Sequence, residues 1–177
     1  MPSITHLIRT NRAATAALVV ALGGAATIAG AWYFQLVVGL PPCPLCLEQR
    51  IPYYVAIPLA IVLLAAILWG ASLTMARFGL ALLAVAMLIG AGLGVYHAGV
   101  EWHFWAGPTD CSGQLNQLGG PGGLLGQLST VRVVRCDEAA WRFLGLSLAG
   151  YNALISVLLA GVALWGIKAS SPGRAEA

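Results

Sequence analysis

The stretch IPYYVAIPLAIVLLAAILWGA, Ile51–Ala71, carries no charged side chain from end to end. A helix needs about 20 apolar residues to cross the hydrocarbon core of a bilayer, so this run predicts one crossing. Working outward, three further apolar runs extend over about 13–40, 78–96 and 144–167. Each is apolar on every side, whereas strands of a membrane barrel alternate apolar and polar residues in segments of about ten. The expected fold is therefore an all-α membrane protein, a four-transmembrane-helix bundle forming one domain over residues 1–177. Pro58 inside the second run is tolerated in a membrane helix and bends it. Gly90 and Gly94, and Gly145, Ala149 and Ala153, repeat small residues every fourth position, which predicts close approach of the third and fourth spans.

Composition agrees. The chain is 59% hydrophobic and 8% charged, with a mean hydropathy of +0.85, outside the range of ordinary soluble domains. The net charge of +3 is too small and too scattered to indicate a nucleic-acid partner. Arg9, Arg12, Arg77, Lys168 and Arg174 fall on the side of the termini and the second loop, while Arg50, Arg132, Arg135 and Arg142 are spread over the longer opposite loops. The positive-inside rule then places both termini in the cytoplasm, leaving a short loop at about 41–50 and a long one at about 97–143 outside. Ala29-Gly30-Ala31 has the look of a signal-peptidase site, but the apolar run before it outlasts the usual 7 to 15 residues, so it reads as a retained span.

All four cysteines fall in those two outer loops, where disulfides persist. Cys43 and Cys46 frame a Cys-Pro-Leu-Cys, with Arg50 four residues on; Cys111 and Cys136 flank the glycine-rich Gly119-Gly120-Pro121-Gly122-Gly123. A Cys-x-x-Cys serves as a zinc half-site, a haem attachment or a redox dithiol. Haem attachment wants His after the second Cys, where Leu47 stands. Four-sulfur zinc would need Cys111 and Cys136, which lack paired-knuckle spacing, and a set of His97, Glu101 and His103 is weaker still; no metal is expected. The dithiol reading has a physical account. A helix starting near Pro44 puts Cys43, Cys46 and Arg50 along one face, where the helix N-terminus and the guanidinium favour the reactive thiolate. Pro52 offers an alternative start just after Arg50, and Arg50 has a competing use as a snorkelling anchor.

Electrons collected there need an acceptor, and no nucleotide-binding fingerprint is present. A quinone dissolved in the bilayer is the economical choice, with Arg50 and His97 as the polar groups to meet its head. In the long loop, Trp102, Phe104, Trp105, Trp141 and Phe143 read as interfacial anchors. Leu124, Leu125, Leu128 and Val131 are spaced for a short surface helix.

Pro42-Cys43-Pro44-Leu45-Cys46-Leu47-Glu48-Gln49-Arg50, Tyr96-His97, Cys111, and Cys136-Asp137-Glu138 followed by Trp141-Arg142-Phe143-Leu144-Gly145-Leu146 together resemble the DsbB family of bacterial disulfide-generating membrane proteins. The likeness runs from about Gly30 onward. It implies a chain in the bacterial inner membrane, a reduced periplasmic thioredoxin-like oxidase of the DsbA type as partner, and ubiquinone or menaquinone as final acceptor. It further implies Cys111 and Cys136 as the disulfide attacked by the partner, Cys43 and Cys46 as the pair that reduces quinone, and Arg50 and His97 as quinone-binding residues. The dense glycine cluster and Pro44 depart from the best-known members and leave the loop's motion and each pair's potential open. The competing reading is a non-catalytic four-span scaffold whose cysteines are staples or zinc ligands.

Overall fold

The computed structural model describes residues 4–108 and 135–170. Four helical segments are long and apolar enough to cross a membrane: Asn11–Leu36, Pro44–Leu68, Leu73–Glu101 and Leu148–Ser170. We label the elements α1 (Ile4–Leu36), α2 (Pro44–Glu48), α3 (Ile51–Leu68), α4 (Leu73–Glu101), β1 (Arg142–Phe143), β2 (Leu146–Ser147) and α5 (Leu148–Ser170). The second crossing is thus two helices in series, with both expected starts in use. Pro44 opens α2 and Pro52 sits in the first turn of α3, positions at which a missing N–H costs nothing.

Each helix buries one stripe and turns the rest to lipid. In α3 the buried residues Tyr53, Ala56, Ala60, Leu63 and Ile67 recur every three or four positions, while Val55, Ile61, Val62 and Leu68 are exposed. In α4 the matching stripe is Ala76, Leu80, Leu83, Met87, Gly90 and Gly94, and in α5 it is Ala149, Ala153, Ser156, Ala160 and Ala163. The facing residues are mostly small, as expected where lipid tails are as apolar as leucine and close backbone approach must supply the attraction. α4 and α5 form the tightest pair. A Cβ added to Gly94 would lie 2.8 Å from the backbone nitrogen of Ala153, so the small-residue spacing read from the sequence is realised as this contact. Polar groups in mid-bundle are satisfied: Tyr53 and Ser156 share a hydrogen bond of 2.7 Å.

α4 runs on to Glu101, past the end of the apolar run near Tyr96, and so keeps His97 inside the helix. Conversely, α5 starts at Leu148, later than the apolar run from Leu144 suggests. Leu144 and Gly145 both have positive φ, 48° and 83°, and form the two-residue turn between β1 and β2. A turn with φ > 0 at both centres matches the twist of a hairpin. This hairpin folds the segment after Cys136 back against the helix ends.

Gly94→Val is expected to push α4 from α5 and cost about 1–3 kcal/mol, seen as a lower Tm of the protein in detergent. Gly92→Val, where an added Cβ meets nothing within 4 Å, is expected to leave the Tm in place.

Candidate functional site

Cys43 is the residue on which α2 starts. Its backbone is extended, at φ −78° and ψ 166°, and its Sγ accepts the backbone N–H of Cys46 at 3.2 Å, a sulfur in the place usually held by a Ser or Asp oxygen. The same geometry brings the two thiols together, with sulfurs 2.7 Å apart and neither in a disulfide. Cys43 is buried and Cys46 partly exposed. The hydrogen bond to Cys46, and after it burial, raises the Cys43 thiol above its ordinary range. Cys43 is therefore the sulfur that keeps its proton, and negative charge on the pair belongs to Cys46.

His97 of α4 faces the pair, its Nε2 3.6 Å from Cys43 Sγ. Its orientation is set from the other side by Gln49, in the joint between α2 and α3. The Gln49 amide nitrogen lies 2.5 Å from His97 Nδ1 and 3.3 Å from the Leu45 carbonyl, while Gln49 Oε1 accepts from Asn152 Nδ2 at 2.6 Å. With the amide placed this way, Nδ1 accepts and the ring proton sits on Nε2, toward the sulfurs. One turn along α4, the buried carboxylate of Glu101 brings Oε1 to 3.8 Å from His97 Nε2. Ser147 hydrogen-bonds this carboxylate, yet its Oε2 has no hydrogen-bond partner among the described residues.

Arg50 is buried rather than snorkelling. Its Nη1 donates to Gln35 Oε1 on α1 at 2.8 Å, and the guanidinium lies 5.4 Å over the Trp32 ring, a cation–π arrangement. Beside it opens a cavity of about 650 Å³, lined at its polar end by Gln35, Cys43, Cys46, Arg50, His97 and Glu101. Its apolar walls include Gly23, Ala26, Thr27 and Ile28 of α1 and Ile155 of α5, and Trp141 and Phe143 stand at its rim.

The long loop returns to this point. Cys136 is fully buried, in one apolar cluster with Cys43, Leu45 and Val100, and Cys46 packs against that cluster. It is disulfide-bonded, and its backbone hydrogen-bonds the His97 side chain. On either side of it Arg135 clamps Asp137 through two hydrogen bonds of 2.9 and 2.6 Å, which holds the Asp137 carboxyl below its ordinary range.

Five of the six residues singled out from the sequence thus converge: Cys43, Cys46, Arg50, His97 and Cys136. Cys111, and the surface helix expected at Leu124–Val131, lie outside the described residues. His103 is exposed, in a left-handed turn with φ 60°, and does not join His97. Sequence reasoning missed the Gln49–Asn152 link. Asn152 carried a signal, as a carboxamide inside an otherwise apolar span, since polar groups at that depth are costly without a function or partner.

A dithiol at one end of a membrane-helix bundle, the disulfide-bonded Cys136 packed against it, and an apolar cavity alongside fit a membrane disulfide-forming oxidoreductase. The family model described as "Disulfide bond formation protein DsbB" matches residues 13–166. The chain is 33% identical over 156 residues to Disulfide bond formation protein B of Xanthomonas oryzae pv. oryzae, covering 86% of this chain and 87% of that protein. It is 35% identical to the Xylella fastidiosa protein of the same name, over 80% and 83% of the two chains, and 31% identical to that of Marinobacter nauticus, over 76% and 80%. No solved structure matches. The chain belongs to the DsbB family, which does not favour the scaffold reading.

In the reduced protein at about pH 8, iodoacetamide is expected to label Cys46 at least about tenfold faster than Cys43, read by peptide mass spectrometry. Equal rates would show that Cys43 does not hold its proton.

Proposed function

We propose that the protein reoxidises a reduced, periplasmic DsbA-type dithiol oxidase and passes the electrons to a membrane quinone, ubiquinone or menaquinone. In this reading it lies in the bacterial inner membrane with both termini cytoplasmic. The observation that carries the proposal is the burial of Cys136 against Cys43, because it puts one member of each cysteine pair in contact at the mouth of an apolar cavity.

The chemistry follows from thiol–disulfide exchange. A thiolate of the partner attacks Cys111 in a Cys111–Cys136 disulfide and releases Cys136. Cys136 then attacks Cys43 of an oxidised Cys43–Cys46 pair, and Cys46 leaves as thiolate on the cavity side. The partner's second thiol resolves its mixed disulfide with Cys111. When Cys111 and Cys136 pair again, the reducing equivalents rest on Cys43 and Cys46 as free thiols.

The cavity fits a quinone by its chemistry. A few polar groups gather at one end and apolar walls follow, as ligand sites for amphipathic molecules require. Arg50 and His97 Nε2–H are the donors for the head-group oxygens, and the apolar walls take the isoprenoid tail. Bound there, a quinone supplies the sink for the two electrons and two protons that the dithiol releases. Arg50, anchored by Gln35 and Trp32, is preorganised to stabilise negative charge without moving.

Anaerobic mixing of the purified protein with quinone and a reduced thioredoxin-like partner is expected to give stoichiometric quinol. Cys43→Ser and Cys111→Ser are expected to abolish it, and Arg50→Met to raise the quinone KM by about 10- to 100-fold, the loss of one charge-assisted hydrogen bond. Absence of quinol with every quinone tried would refute the proposal.

A further inference from the structure

Glu101 has no task in the exchange chemistry, yet it is a buried carboxylate with an unpartnered oxygen. Such a group is costly to bury unless something satisfies it. Its nearest neighbours supply a candidate. Cys43 Sγ, Cys46 Sγ and His97 Nε2 all lie within 4.8 Å of one another, and Glu101 Oε1 stands 3.8 Å from the same His97 nitrogen.

These separations can be compared with a tetrahedral centre. With zinc–sulfur bonds of about 2.3 Å and zinc–nitrogen bonds of about 2.0–2.1 Å, a sulfur and a nitrogen ligand lie about 3.6 Å apart. Cys43 Sγ and His97 Nε2 are 3.6 Å apart. Two sulfurs on one zinc lie about 3.8 Å apart, against the 2.7 Å found, so side-chain rotation at the partly exposed Cys46 has to open the pair. The imidazole must also present a lone pair at Nε2. Turning the Gln49 carboxamide end over end offers Oε1 to Nδ1–H, and a matching turn of Asn152 keeps their mutual hydrogen bond. The Leu45 carbonyl is not orphaned, because the Gln49 backbone N–H already donates to it at 3.1 Å.

We propose that the reduced protein binds one thiophilic divalent cation, Zn²⁺ or Cd²⁺, through Cys43, Cys46 and His97, with Glu101, which lies outside that set of mutually close ligand atoms, rotating in as the fourth ligand. Binding displaces the Cys43 proton, and the Cys46 proton wherever that sulfur is not already a thiolate, and involves no electron transfer. Both sulfurs are then held as metal thiolates, so the cation and the Cys43–Cys46 disulfide exclude each other. The site is a redox-gated one, open only to the dithiol state, and it rests on the geometry rather than on the identity of the electron acceptor.

The test uses the full-length protein in detergent, reduced with a phosphine, with Zn²⁺ alone as probe. A Cys111→Ser, Cys136→Ser background removes the loop thiols. One Zn²⁺ per chain is expected to bind the reduced form, with release of one to two protons, and none to bind after oxidation of Cys43 and Cys46. Glu101→Gln is expected to weaken binding by more than the roughly 10- to 100-fold that loss of an outer partner costs. Co²⁺ in place of Zn²⁺ is expected to show a sulfur-to-metal charge-transfer band and a tetrahedral ligand-field spectrum, a readout independent of any variant's folding. Equal affinity of reduced and oxidised protein, loss of binding with the loop thiols, an octahedral cobalt spectrum, or a Glu101→Gln affinity like that of the parent would each overturn the assigned site.

Discussion

Gln49 stands where three helices meet, and the geometry of the site depends on its carboxamide. One end of that group holds His97 on α4, the other takes a hydrogen bond from Asn152 on α5, and its backbone N–H closes α2 onto Leu45. Remove the link and the imidazole keeps only the Cys136 backbone and the Cys43 sulfur to set its rotation. Everything downstream uses that orientation. The approach of Nε2 to Cys43, the neighbouring Glu101 carboxylate and the hydrogen-bonding surface offered to the cavity all belong to one face of one ring.

Magnitudes separate what holds the bundle together from what arranges the site. Hydrogen bonds between membrane helices contribute on average about 0.6 kcal/mol each, because the separated helices also find partners. Close packing along α4 and α5 recurs over several turns, from Gly94 against Ala153 to Gly90 beside Ser156, and outweighs any one polar contact. Tyr53–Ser156 and Gln49–Asn152 therefore act chiefly as position-setting contacts. This division lets the end of the bundle carry a cavity and a carboxylate with one unsatisfied oxygen among the described residues without loosening the helices below it.

The spans were legible because lipid imposes a length and an apolar surface on each, and Ile51–Ala71 declares both. The close approach at Gly94 was legible for a related reason, since small residues at four-residue spacing have few other uses in a membrane helix. Helix ends were not. Around Leu144 a local preference for a tight hairpin overrides an apolar run, and after Tyr96 the helix continues through His97 to Glu101 beyond the strongly apolar stretch. Within the site, the Cys43–Cys46 pair and Arg50 announced themselves by motif. Gln49 and Asn152 did not, because a carboxamide has meaning only through the partner it meets, here 103 positions away. The contact between Cys136 and Cys43 is equally a product of the fold.

The two sulfurs of Cys-Pro-Leu-Cys are unequally placed, and that inequality gives the proposed relay a direction. Cys43 caps α2, is buried beside Cys136, and keeps its proton because Cys46 accepts from it. An oxidised pair holds no thiol proton, so the hydrogen bond that distinguishes the two thiols cannot choose between them, and the choice falls to contact. Attack by Cys136 is therefore directed to Cys43, the sulfur it is packed against. The charge released appears on the sulfur beside Arg50 and the cavity. The reverse assignment would release a thiolate at Cys43, the more buried of the two sulfurs and the costlier one to charge. A short α2 started by a cysteine thus makes one sulfur the receiver of the exchange and leaves the other to carry the released charge.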